Sequence, residues 1–238
     1  SVNPMNQLNW KKHNRGENWN YLHGTLEEIE AIENLYKNTD VEIMSYKGKE
    51  AVEETFKQYR GDRKSPDIIH IATHGFFFPD ENDSKVEQDE TPDKRSIFQA
   101  SNNPMIRSGL LFAGANLSWS LLELPDKIED GILTAFEVSN TILNTTKLVV
   151  LSACETGLGE INGSEGVYGL QRSFKIAGAE HIIMSLWQIP DYQTSELMKS
   201  FYSYLKLNLG IPEAFQQAQD EMKQKYLPYY WAAFVLIR

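Results

Sequence analysis

Apolar residues fall along the chain in two alternating patterns: short unbroken runs, and longer stretches in which they recur every three or four positions. The firmest run is Leu148-Val149-Val150-Leu151-Ser152, bounded by Thr145-Thr146-Lys147 before it and by a glycine-bearing loop after it. A run without polar alternation reads as a strand buried on both faces. Asp67 to Thr73, rich in β-branched residues, is a second such strand, and His181 to Leu186 a third. Val41 to Tyr46 alternates as a strand should when one face meets water, Gly109 to Ala113 is a short strand, and Tyr229 to Ile237 is the last.

Between these runs the period is helical. Thr25 with Glu28 three residues on has the spacing of a capping box, and Leu26, Ile29, Ile32 and Leu35 or Tyr36 share one face, so a helix is predicted from Thr25 to about Asn38. A second helix is predicted over Glu50 to Tyr59 with Val52, Phe56 and Tyr59 inward. A third, short one lies within Gly131 to Asn140, capped by Thr134 and with Phe136 inward. Val167 to Ala177 ends at Gly178, Thr194 to Leu207 carries Leu197, Met198, Phe201 and Leu205 on one face, and Pro212 opens a helix to Lys225. Strand followed by helix, repeated, predicts one three-layer α/β domain with a mostly parallel central sheet. Residues 1 to 24 are polar and irregular. The expected division is an arm over 1–20, with Trp10 and Trp19 docking on something, and a domain over 21–238. Residues 80 to 107 lack periodicity and hold seven acidic and three basic residues between Asp80 and Arg95. They read as a long, protease-sensitive loop leaving the second strand.

Charge and cysteine count narrow the function classes. Thirty-three acidic residues against 23 basic ones give a formal charge of -10, which disfavours nucleic acid or an anionic membrane as the main partner. One cysteine cannot form an internal disulfide, and no apolar run approaches the roughly 20 residues of a membrane span. The chain is expected to be soluble and cytoplasmic. It begins at Ser1 without a signal segment, which is compatible with a cut from a longer polypeptide.

The single cysteine is Cys154, which sits where the firmest strand should end. A cysteine in apolar surroundings is most often an inert small hydrophobe. Yet in an open parallel sheet the carboxyl ends of strands are where chemistry is placed, and His74 occupies the corresponding place beyond the strand Asp67 to Thr73. If the two strands are neighbours, about 4.8 Å apart, thiol and imidazole overhang one crevice and can cooperate. Gly75 follows, and its backbone N–H is accessible to a developing oxyanion. His70 lies mid-strand and reads as a hydrogen-bonded core residue, while His181 opens a strand and His13 and His23 sit in or near the arm. The glycines 157, 159 and 163 are misspaced for a dinucleotide or phosphate loop, and Glu155, Glu160 and Glu165 would repel phosphate. Carboxylates five apart with no His or Cys match no metal-ligand spacing, so neither metal nor cofactor is expected.

Five blocks together carry a resemblance: Ile69-His70-Ile71-Ala72-Thr73-His74-Gly75, Leu148 to Glu160 with Ala153-Cys154-Glu155-Thr156-Gly157, Gly163 to Val167, Ser185-Leu186-Trp187-Gln188-Ile189-Pro190-Asp191, and Pro228 to Leu236. Their order and content resemble the CHAT family, caspase-related cysteine peptidases of bacteria that are often joined to tetratricopeptide repeats and are similar to separases. The resemblance implies a caspase-like α/β/α sandwich, with His74 as general base and acid and Cys154 as the acyl-forming nucleophile. It further implies the amides of Gly75 and Cys154 as the oxyanion hole. A repeat region or regulatory partner outside the chain, and a role in bacterial signalling or defence, are part of the same implication. Two readings remain: an endopeptidase acting on a protein substrate, or an idle scaffold holding a peptide or protein in the same crevice. Asp191 is read either as an N-cap for the helix near Thr194 or, because separases carry a similar Leu-Trp-x-x-x-Asp block, as the carboxylate that selects Arg, and less well Lys, before the cut.

Overall fold

The computed structural model describes residues 19–78, 98, 101–120, 129–153, 165–187 and 189–238. Among these residues the central sheet has four strands: β1 (Ile68–Ala72), β5 (Leu148–Ser152), β6 (His181–Ser185) and β7 (Phe234–Ile237), in the order β1-β5-β6-β7. β1, β5 and β6 run parallel, and β7 is antiparallel to β6. Every residue of β5 is buried, which explains the unbroken apolar run: a central parallel strand has no wet face on which to place polar side chains.

The two faces of β5 feed two cores. Val149 and Leu151 point, with Ile182 and Met184, into a cluster that holds Phe56 and Tyr59, Leu143, and Leu170 and Phe174 of helix α5 (Glu165–Ala177). Leu148 and Val150 point, with Ile183, towards Leu197, Met198 and Phe201 of α6 (Asp191–Lys206) and Phe215, Ala218 and Met222 of α7 (Ile211–Lys225). Ile32, Leu35 and Tyr36 of α1 (His23–Tyr36) close this second layer. The sheet between two helical layers is the expected α/β/α sandwich. Truncating Leu151 to alanine would cost about 2–5 kcal/mol by loss of burial and the cavity left behind.

A second, antiparallel sheet of β2 (Gly75–Phe77), β3 (Ser108–Leu111) and β4 (Ile132–Thr134) leaves the end of β1. Gly109 is required there, because a Cβ would press on the Leu133 carbonyl and the Phe76 ring. Between β3 and β4 stands the short helix α3 (Ala115–Ser120).

Several expected elements change in detail. Val41 to Tyr46 forms no ladder, and Val41, Ile43, Met44 and Tyr46 are exposed. Alternation supplied an apolar face, but among the described residues no strand pairs with it, and Lys47 pairs with Glu33 of α1 at 2.7 Å. The helix expected over 50–59 is broken into 3-10 turns at Gly48–Glu50 and Gln58–Arg60 around α2 (Glu54–Lys57), because Glu53 turns inward to accept the Gly131 N–H; Phe56 and Tyr59 are buried as expected. Thr134 is a cap with a complete capping box to Glu137, but Ile132–Thr134 are strand. The helix it opens is α4 (Ala135–Ser139), so Ala135 and Val138 face inward and Phe136 is exposed. Tyr229-Tyr230-Trp231 lie in the helical turn α8 (Pro228–Trp231), started by proline at its first position, and only Phe234–Ile237 is strand.

Candidate active site

β1 and β5 pair in parallel from Ile68↔Leu148 to Ala72↔Ser152. His74 stands two residues beyond the last pair, on the turn into β2. Cys154 and the glycine loop after it lie outside the described residues, as does most of the expected loop 80–107.

The His74 ring is held from the N-terminal side of the chain. Its Nε2 lies 2.6 Å from the Asn20 carbonyl oxygen, and the Trp19 ring packs on it with centroids 5.1 Å apart at 49°. A carbonyl only accepts, so Nε2 carries the proton and, in the neutral ring, the lone pair is on Nδ1, which is buried from solvent. A third group that fixes the tautomer of a histidine base is what acyl-transfer sites use. Gly75 opens β2 opposite Leu110, with the Leu111 N–H donating to the His74 carbonyl at 2.9 Å.

Asp191 is not the N-cap. Pro190 takes that place and Asp191 is the first residue of α6, three positions before the expected start at Thr194. Its Oδ2 accepts from the Gly24 N–H at 3.4 Å, and a Cβ on Gly24 would collide with the Cβ of Asp191. His74 and Asp191, far apart in sequence, are thus both drawn to the segment 20–24.

Behind the strand ends runs a buried polar chain. Glu28, 2% exposed, does not cap α1: Thr25 Oγ1 donates to the Leu22 carbonyl instead. Glu28 Oε2 accepts from Ser152 Oγ at 2.9 Å, and Oε1 lies 2.8 Å from His70 Nε2. His70 Nδ1 lies 2.9 Å from the Tyr202 hydroxyl. Burial, with the nearby Glu28 and Tyr36, pushes the Tyr202 phenol well above its ordinary range. His70 is therefore the hydrogen-bonded core histidine expected, tying α1, β1, β5 and α6 together. Glu28 was concealed by its capping-box spacing. That it shares a helical face with Ile32 and Leu35, at i+4 and i+7, was the signal that could have revealed it.

Away from this end, Glu53, Glu129 and Glu137 bring carboxylate oxygens within 4.8 Å of one another. The Lys57 ammonium already sits among them, 2.7 Å from Glu137 and paired with the other two. The cluster reads as an ion-pair network whose cation is the chain's own. Burial pushes the Glu53 carboxyl up to about 7 against the pull of Lys57.

Comparison with known proteins agrees with this architecture. A family model described as CHAT domain matches residues 6–238. The chain belongs to the CHAT family. The family is caspase-related and peptidase-like, and the α/β fold described above is consistent with it. The CHAT chain is also similar to tetratricopeptide repeat protein 28 of Homo sapiens, at 32% identity over 114 residues, 46% of this chain. The corresponding protein of Mus musculus matches at 32% identity over 110 residues, 44% of this chain. In each case the match spans 4% of the relative's length. Among the described residues no helix is long and apolar enough to cross a membrane.

Proposed function

We propose that this CHAT domain is a cysteine endopeptidase with Cys154 as nucleophile and His74 as general base and acid. The observation that carries the reading is the register of β1 and β5, two parallel neighbours ending level at Ala72 and Ser152, with His74 and Cys154 each two positions further on in sequence and the imidazole already oriented by a carbonyl. In this reading His74 Nδ1 takes the thiol proton, and the thiolate of Cys154 attacks a peptide carbonyl. The amides of Gly75 and Cys154 hold the oxyanion. His74 then protonates the leaving amine, and water, deprotonated by the same nitrogen, releases the acyl group and restores the thiol. Asp191, beside the same segment as His74, takes the basic side chain on the acyl side of the cut, Arg before Lys.

The working unit is residues 21–238, with Trp19 and Asn20 of the arm packed on it. A tetratricopeptide-repeat region or other regulatory partner outside this chain, a cytoplasmic setting and a bacterial signalling or defence role complete the proposal. The test is turnover of an Arg-containing peptide, with labelling of Cys154 by an acyl electrophile and a thermal melt. Cys154→Ala should abolish both chemical readouts. His74→Ala should reduce turnover by about 10²–10⁴-fold with the melt retained. A Cys154 that neither labels nor turns over substrate in the folded protein would make the domain a binding scaffold.

A further inference from the structure

The carbonyl that orients His74 belongs to Asn20, in a stretch with no helix or strand to fix it. Something else must hold it still, since a base that swings by an ångström loses much of its effect. The residue placed to do so is Asn116 of α3, 97 positions from Trp19 in sequence. Its Oδ1 accepts from the Trp19 N–H at 2.7 Å, and its Nδ2 donates to the Trp19 carbonyl at 3.1 Å. A side-chain amide carries one acceptor and a donor side by side, so it can close on both polar groups of one backbone residue as a neighbouring strand would. The indole of Trp19, 8% exposed, fills a socket lined by Phe76, Phe98, Leu111, Ala115 and Ile132, and its other side meets the His74 ring. Four residues on, the Gly24 N–H meets Asp191. Asn20 is therefore suspended between two anchors, and the one on the side of His74 is Asn116.

We infer that Asn116 is a positioning residue for the proposed dyad: by clamping the Trp19 backbone it aims the Asn20 carbonyl at His74 Nε2 and keeps the proton there. The inference rests on the peptidase reading for its consequence in turnover, though not for its effect on the ring. Asn116 is itself exposed, and its replacement empties no core site. In Asn116→Ala both backbone bonds are lost. In Asn116→Asp the acceptor for Trp19 N–H stays and the donor goes.

The experiment compares wild type with both variants by ¹⁵N NMR of the His74 imidazole, by peptide kinetics and by thermal melt. Wild type should show a single tautomer protonated at Nε2. Asn116→Ala should show averaging between the two nitrogens, with kcat lower by between about 10- and 100-fold, KM little changed and the melt within a few degrees of wild type. Asn116→Asp should fall between. A wild-type ring spectrum in Asn116→Ala overturns the inference, and so does a loss of turnover in both variants that merely tracks a loss of melting temperature. If wild type cleaves no peptide, the peptidase reading falls, and the ring spectrum alone still decides the role of Asn116.

Discussion

At the residue scale the site is a meeting of side chains with backbone, and that divides what the sequence can reveal from what it cannot. The place of His74 beyond the end of β1 was legible because a titratable residue at the end of an apolar strand stands out by type and place. Asn20 was not, since it acts through its carbonyl and any residue has one. The place of Asp191 was half legible. The acidic residue at the start of α6 was visible, but the cap is Pro190, and a carboxylate in the first turn needs only the helix dipole to be favourable there. Its contact with Gly24 makes a test. Gly24→Ala places a methyl group against the Asp191 Cβ, so either α1 or Asp191 must shift. Overpacking of this kind should cost about 1–3 kcal/mol, read as a lower denaturation midpoint. The variant should also raise KM for Arg-containing peptides more than for otherwise identical neutral ones. An unchanged midpoint and an unchanged Arg preference would show that the two residues are not in contact.

At the element scale, strands and helices that bury an apolar face were readable from periodicity, and two of the departures share a cause, a polar partner distant in sequence. α1 takes Glu28 inward because Ser152 and His70 receive it, and the helix after Gly48 breaks where Glu53 turns in to Gly131. Val41 to Tyr46 fails as a strand because, among the described residues, no neighbouring strand pairs with its alternation to make a ladder. The Glu28 chain should be strongly coupled to stability. Glu28→Ala leaves His70 and Ser152 without their buried partner and is expected to cost about 3–5 kcal/mol in a denaturant titration. Glu53 makes a pH prediction. Its folded-state carboxyl is raised by burial to about 7 from an ordinary value of 4.5, so the folded chain holds its proton more tightly than the unfolded one. The stability this contributes is whole below pH 4.5 and is lost as pH rises through about 7. Glu137, pushed up by burial but held lower overall by Lys57 and Thr134, acts in the opposite sense and at more acid pH. Across the window from 4.5 to 7, therefore, the unfolding free energy of Glu53→Gln should fall less with pH than that of wild type. Equal slopes would place the Glu53 proton elsewhere.

At the scale of the whole molecule, the fold class was legible because the alternation of strand and helix survives errors of several residues at each boundary. The meeting of His74, Asp191 and the segment 20–24 was not, since it depends on long-range packing that leaves no local pattern. The global quantity that bears on the proposed reaction is charge. A chain with a formal charge of -10 and the proposed specificity for Arg should draw a basic peptide in from solution before any local contact forms. Raising ionic strength from about 0.01 M to about 0.15 M shortens the screening length from about 30 Å to about 8 Å and should remove most of that attraction. The expected outcome is a fall in kcat/KM for an Arg-rich peptide over this range. The rate at which neutral iodoacetamide alkylates Cys154 should hold nearly steady. Asp191→Asn separates local from global effects: the variant should lose its preference for Arg at the cut and still show a salt dependence for a peptide carrying its basic residues elsewhere. Salt-independent kcat/KM in wild type would mean that the acidic surface faces away from the substrate's approach, and that basic specificity, where present, is exerted only on contact.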